Sequence, residues 1–183
     1  YDLMAAFIGS EGMLGVVTEI TVRLLPVPPT AKALMAAFGD VEQAASAVAA
    51  IIAAGIIPAG LEMMDTPAII AAEDFVQAGY PRDAAAILLC ELDGTDAEVQ
   101  TEIESVSSLL FECGARSVDI ARDESERQRF WSGRKNAFPA VGRISPDYYC
   151  IDGTIPRRAL GEVLLGISEL AARAGLRVAN VFH

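Results

Sequence analysis

From residue 30 onward the chain alternates between short apolar runs of strand length and stretches whose apolar residues recur every three to four positions. Such switching confines it to strands interleaved with helices. Residues 31–38 are apolar apart from Lys32. Asp40 then caps a helix, with Gln43 as its reciprocal partner, and Val41, Ala44, Val48, Ile51 and Ile52 on one face. Gly55 supplies a left-handed stop. Residues 60–65 read as a strand, and Thr66-Pro67 starts a helix running to about Gln77. Residues 84–92 read as a buried strand turned by Asp93-Gly94. Thr95 or Asp96 caps a helix carrying Val99, Ile103, Val106 and Leu110 and ending at Gly114. Residues 116–121 read as a strand. Asp123 opens a polar helix through about Phe138, stopped by Pro139. Residues 148–155 are extended, and Pro156 starts a helix with Leu160, Val163, Leu164, Ile167 and Leu170 facing the core. Residues 176–182 read as a last strand.

No Rossmann glycine fingerprint accompanies this alternation. The expected class is α+β, a ferredoxin-like mixed or antiparallel sheet with helices packed on it, two related split units being one arrangement. Residues 1–29 differ in texture. Gly9-Ser10-Glu11-Gly12 and Gly15 punctuate a loop, residues 17–24 alternate with a strand's period of two, and Pro26-Val27-Pro28-Pro29 forms a stiff connector. The pattern divides the chain into units 1–29 and 30–183.

Composition narrows the functional classes. With 52% hydrophobic residues spread along the chain, disorder is excluded. The apolar run over 48–57 is far short of the roughly 20 residues that span a bilayer. A net charge of -11 repels a phosphate backbone, which argues against nucleic acid as a partner. Nine of the fourteen basic residues lie between Arg116 and Arg158, which reads either as a solvated helix face or as a site for a small anion. Cys90, Cys113 and Cys150 read as buried small hydrophobes in a reducing compartment; no C-x-x-C pair offers an iron-sulfur or zinc site within this chain. The start at Tyr1, without an initiator Met or secretory pattern, reads as a segment of a longer protein.

Taken alone, the glycine loop is either a tight turn feeding a strand or a place where bare backbone meets a planar heterocycle or a pyrophosphate. The longer strings are more specific. F-I-G-S-E-G-M-L-G-V-V-T-E-I-T-V-R-L-L-P over residues 7–26 resembles the end of the FAD-binding domain in flavoproteins of the vanillyl-alcohol oxidase type. L-E-M-M-D at 61–65, F-W-S-G-R-K-N-A-F-P-A-V-G-R-I-S-P-D-Y-Y-C at 130–150, D-G-T-I-P-R-R-A-L at 152–160 and V-A-N-V-F-H at 178–183 resemble the FAD subunit of bacterial glycolate oxidase.

That resemblance implies that residues 1–29 are the tail of the FAD domain and residues 30–183 an incomplete ferredoxin-like cap over the flavin. It implies that Gly9, Ser10, Glu11, Gly12, Gly15 and Val16 line the flavin, while the phosphate loop precedes Tyr1, so that the segment alone is inactive. Arg134 would bind the substrate carboxylate, a task suited to a permanently charged two-pronged donor. Judged on its residues alone, Arg134 could equally pair with an acid of its own helix. Lys135 and Arg143 are second contacts, and Tyr148 or Tyr149 could offer a hydroxyl. V-F-H resembles the opening of the family's H-x-G-D-G-N-x-H motif, making His183 one ligand of a divalent metal whose site is incomplete here.

Glu62, Asp65 and Glu91 sit in or beside apolar strands, where each needs an arginine or backbone amide as partner. Ser10 lacks the histidine of a serine hydrolase. Trp131, Phe130 and Phe138 read as packing. By resemblance, the parent protein oxidises glycolate or a similar small D-2-hydroxy acid by hydride transfer to FAD, in the cytoplasm, with partner subunits, one an iron-sulfur protein, holding it at the inner face of the membrane. Exposed apolar edges would favour a homodimer of the segment. The alternatives are a D-lactate dehydrogenase of the same superfamily and a non-catalytic ferredoxin-like module that binds carboxylates or mediates contacts.

Overall fold

Strand β1 (Thr30–Phe38) is buried on both sides from Ala33 to Phe38, which is why its sequence lacks the polar alternation of a half-exposed strand. The computed structural model describes residues 1–183. After a short helix α1 (Leu3–Ile8), the elements run β1, α2 (Val41–Ala53), β2 (Gly60–Asp65), α3 (Thr66–Val76), β3 (Ala86–Gly94), α4 (Asp96–Glu112), β4 (Ala115–Ile120), α5 (Glu124–Lys135), α6 (Ala137–Ile144), a single 3-10 turn (Arg157–Ala159), α7 (Leu160–Arg173) and β5 (Val181–Phe182).

The five strands order as β4-β1-β3-β2-β5, with every neighbouring pair antiparallel. β3 slots between β1 and β2, and β1 slots between β3 and β4, so two split βαβ units interlock in one sheet of ferredoxin type. Helix α3 is inserted between β2 and β3 on the opposite face, and β5 extends the β2 edge.

Alternate residues of β1 sort the core into two layers. Leu34, Ala36 and Phe38 face α2, α4 and α7 through Ile51, Val99, Leu110 and Leu164. Ala33, Met35 and Ala37 face α3, α5 and α6 through Ile69, Phe130 and Ala137. None of the helices is long and apolar enough to cross a membrane.

Several expectations change. Residues 17–24 form no strand: Val17, Ile20, Val22 and Leu24 are exposed, because no neighbouring chain edge pairs with that backbone. Asp40 does cap α2, accepting from the Glu42 amide at 2.6 Å, but Gln43 is not its reciprocal partner. The Gln43 side chain instead lies over Gly114, whose φ of +93° ends α4. The reciprocal box occurs at α4, between Thr95 and Glu98. Asp93 and Gly94 belong to β3, paired with Ala31 and Thr30. Pro139 does not stop α5; it sits in the first turn of α6, where its missing N–H has no intrahelical partner to lose. Leu170 is exposed on the outer side of α7. The last strand shrinks to Val181–Phe182, since only Met63 and Met64 of the short β2 pair with it. Of the cysteines, Cys90 is buried and its thiol pushed up to about 12 by burial, Cys113 is half-buried and Cys150 exposed.

Gly133 of α5 lies against the ring of Tyr80, which is 3% exposed and cannot retreat. Gly133→Ala should destabilise the domain by about 1–2 kcal/mol, overpacking outweighing the helix propensity gained. A urea midpoint equal to or above that of the parent chain would contradict this.

Candidate functional site

Helix α5 is polar along most of its length, with only Phe130 and Gly133 buried, yet it packs on the sheet. Charge holds it there. The Asp123 carboxylate accepts from the Glu126 amide at 2.9 Å, acids occupy the first turn, and Arg134 and Lys135 occupy the last, in keeping with the helix dipole. Arg127, Trp131 and Arg134 form a stripe at helical spacing that meets two acids of the strands. Glu91 of β3 accepts from Arg127 Nη1 at 2.6 Å and from Trp131 Nε1 at 2.5 Å. Glu62 of β2 accepts from Arg134 Nε at 2.7 Å. Gly60 lies under Trp131, whose ring atoms would come within 2.9 Å of an added Cβ.

Arg134 is fixed at its backbone as well. Its N–H donates to the Tyr80 hydroxyl at 3.0 Å, and that hydroxyl donates to the Phe130 carbonyl. Burial pushes the Tyr80 phenol upward, so it stays a neutral donor. Each of the three strand acids has the partner it requires: Glu62 and Glu91 take arginines, and Asp65 accepts from the Ala68 amide at 3.1 Å and from Asn180 N and Nδ2 at 3.0 and 2.8 Å.

The cationic region is largely neutralised within α5. Arg122 binds Glu126, Arg127 binds Glu124 and Glu91, and Arg129 binds Glu126. Bonding to Arg127 holds the Glu124 carboxyl down at about 2, and bonding to Arg122 does the same for Glu126. Arg134 differs from these neighbours. Its Nε is bonded and its two terminal nitrogens have no partner, with the side chain 27% exposed.

The register places His183 beside this pair. Met63 opposes Phe182 and Met64 opposes Val181, so the next residue, His183, falls opposite Glu62. Directly opposed residues of antiparallel strands share a face, and that face is the one Glu62 and α5 occupy. Lys135 is exposed at the end of α5. Arg143 stands over the Phe75 ring at 5.6 Å, between α3 and α6, apart from the Glu62–Arg134 pair. Tyr148 packs edge-on against Phe138 at 5.3 Å, and Tyr149 is exposed in the following loop. No group of three His, Cys, Asp or Glu side chains within residues 1–183 is arranged to hold a metal ion.

The glycine loop caps α1. The Gly9 amide donates to the Ala5 and Phe7 carbonyls, and Ser10 Oγ donates to the Phe7 carbonyl at 2.7 Å. Glu11 and Gly12 take positive φ of 50° and 81°. Gly12, Gly15 and Val16, with Phe7, Ile8 and Val17, line an open cavity of about 440 Å³, while Gly9, Ser10 and Glu11 lie off its wall. An apolar, glycine-floored concavity suits the edge of a planar ring, so these residues fit a flavin.

A family model described as "FAD linked oxidases, C-terminal domain" matches residues 27–183. The chain belongs to this family. It is 66% identical over 183 residues to the glycolate oxidase subunit GlcD of Escherichia coli K12, covering all of this chain and 37% of that protein. Identity to the GlcD subunit of Bacillus subtilis is 37%, over 39% of its length. A D-lactate dehydrogenase of Anaerostipes hadrus is 27% identical, with 40% of its length covered. The chain thus spans well under half of each relative. Among solved structures, an alkyldihydroxyacetonephosphate synthase superposes with a TM-score of 0.66 at 16% identity, over 94% of this chain and 37% of that one, a likeness of fold. Membership makes this an α+β C-terminal domain of the FAD-linked oxidase family.

Sequence reasoning missed Tyr80 and Asn180. Neither carries a motif of its own, and their partners lie 54 and 115 residues away.

Proposed function

We propose that residues 1–29 close a FAD-binding domain and that residues 30–183 are the substrate cap of a flavoprotein that oxidises glycolate, or a similar small D-2-hydroxy acid, to the 2-oxo acid. The observation that carries this reading is Arg134, a half-buried guanidinium anchored at Nε with both terminal nitrogens unbonded, on the face toward which His183 extends. That is the donor geometry a carboxylate needs for two parallel hydrogen bonds. Lys135 and Tyr149 serve as outer polar contacts, whereas Arg143, over the Phe75 ring, takes no part. Gly12, Gly15 and Val16 meet the flavin ring, with Gly9, Ser10 and Glu11 shaping the loop behind them. FAD, when bound, would supply the hydride acceptor. The protein's share is to hold the acid group at Arg134 and so fix which hydrogen faces the ring. His183 contributes one nitrogen to a divalent metal completed by other side chains.

Relatedness to GlcD supports a subunit of a multi-subunit glycolate oxidase. The motif resemblance implies an iron-sulfur partner that carries the electrons away and a place on the cytoplasmic side of the membrane. The exposed Met13, Val16, Ile20, Val22 and Leu24 supply an apolar surface for the rest of the FAD domain, or for a second copy when the segment stands alone. The test is anaerobic mixing of the full-length flavoprotein with glycolate and with D- and L-lactate. Glycolate should bleach the flavin absorbance and D-lactate should outpace L-lactate. A flavoprotein bleached by none of the three would overturn the reading, and one bleached only by D-lactate would reassign the substrate.

A further inference from the structure

We infer that Glu62 is the positioning residue of the carboxylate clamp: its carboxylate holds Arg134 by Nε and so presents the two terminal nitrogens side by side to the substrate. The inference rests on the reading of Arg134 given above and adds what makes that side chain competent.

The comparison with Arg127, one helical face along, makes the case. Arg127 uses every nitrogen on protein acids: Nε and Nη2 bind Glu124 at 2.7 and 2.8 Å, and Nη1 binds Glu91 at 2.6 Å. No nitrogen of Arg127 is without a protein acid. Arg134 sits on the same stripe, opposite an equivalent strand acid, and spends one nitrogen only. A guanidinium can grip a carboxylate through Nε and one Nη or through both Nη groups. Because Glu62 occupies Nε, the second mode alone remains open.

The side chain is also held from both ends. Tyr80, itself buried, fixes the backbone of Arg134, and Glu62 fixes the head group. A long side chain that is already ordered loses little rotamer freedom when the ligand arrives, so its hydrogen bonds appear more fully as affinity. Glu62 is itself only 17% exposed and stands on β2, a strand between two others, so the anchor does not drift. Glu62 does not touch the substrate in this scheme. It acts through Arg134.

The test uses the full-length flavoprotein, with oxalate binding read from the perturbed flavin spectrum and glycolate turnover read in the steady state. Glu62→Ala should raise the oxalate Kd and the glycolate KM about tenfold, with kcat changed less than threefold. Glu62→Gln, whose amide oxygen can still accept from Nε, should raise both about threefold. Glu91→Gln, which disturbs the neighbouring pair with Arg127 and Trp131, should leave both within a factor of two. Adding Glu62→Ala to Arg134→Met should weaken oxalate no further than Arg134→Met alone. A Kd and KM unmoved by both Glu62 variants, or moved equally by Glu91→Gln, would overturn the positioning role while leaving the Arg134 clamp intact. An Arg134→Met protein that binds oxalate normally would instead remove the clamp itself.

Discussion

In the full-length flavoprotein, Arg134→Met should lower kcat/KM for glycolate by two to three orders of magnitude while the flavin stays bound. Truncating one side of a desolvated, hydrogen-bonded charge pair costs about 2–5 kcal/mol, and each decade of kcat/KM corresponds to about 1.4 kcal/mol. Methionine keeps most of the side chain's packing and removes every donor. Arg134→Lys should retain the charge without the fork and lose about tenfold. Arg134→Met also carries a cost in stability, because Glu62, 17% exposed, loses its single partner. An unpaired group of this kind costs about 1–3 kcal/mol, which in a domain of this size is a fall of several degrees in Tm. Pairing Arg134→Met with Glu62→Gln should recover much of that Tm and none of the turnover. A loss smaller than tenfold in kcat/KM, with the Tm falling as expected, would make Arg134 an anchor of α5 and nothing more.

What could be read from the sequence was what short-range physics governs. The Asp40, Thr95 and Asp123 caps, the Gly55 and Gly114 stops and the unbroken apolar strands follow from backbone groups satisfied within a few residues. Residues 17–24 show the limit of the same reasoning. Alternation records which face a strand would bury, but a strand exists only where another chain edge accepts its hydrogen bonds. Pro139 shows a second limit: the missing N–H that ends one helix also suits the first turn of the next, and the residue type alone does not choose. At the site, the need of Glu62 for a partner was evident from an acid in an apolar strand, and Arg134 stood out as a candidate donor. That each answers the other across 72 residues depended on α5 packing over β1 so that its long side chains reach β2, which no local pattern encodes. The neighbourhood of His183 depended on β5 pairing in one particular register.

Asp65→Ala should be the most damaging single change at that edge, lowering the unfolding free energy by about 3 kcal/mol. Two losses combine. The Asp65 carboxylate caps α3 through the Ala68 amide, a contribution of about 1 kcal/mol. It also takes both the backbone N–H and the side-chain Nδ2 of Asn180, which is 9% exposed, and unpaired donors there cost about 1–3 kcal/mol. Because β5 has only two ladder pairs of its own, residues 181–183 are tethered to β2 at Asn180, through these two donors and through its carbonyl, which accepts from the Asp65 amide at 3.2 Å. Amide exchange at Asn180 and Val181 should therefore accelerate more than the global change explains. The pH dependence carries a separate signature. Burial raises the Asp65 carboxyl above its ordinary value, against the hydrogen bonds from Ala68 and Asn180 that pull it down. The folded chain thus binds the proton more tightly than the unfolded one, so the group's contribution to stability is largest below the ordinary carboxylate range. It declines as pH rises through the raised value. The stability gap between the parent chain and Asp65→Ala should accordingly narrow from acid toward neutral pH. A gap that widens over that interval would mean that the three amide donors outweigh burial, with Asp65 held as a fully committed anion.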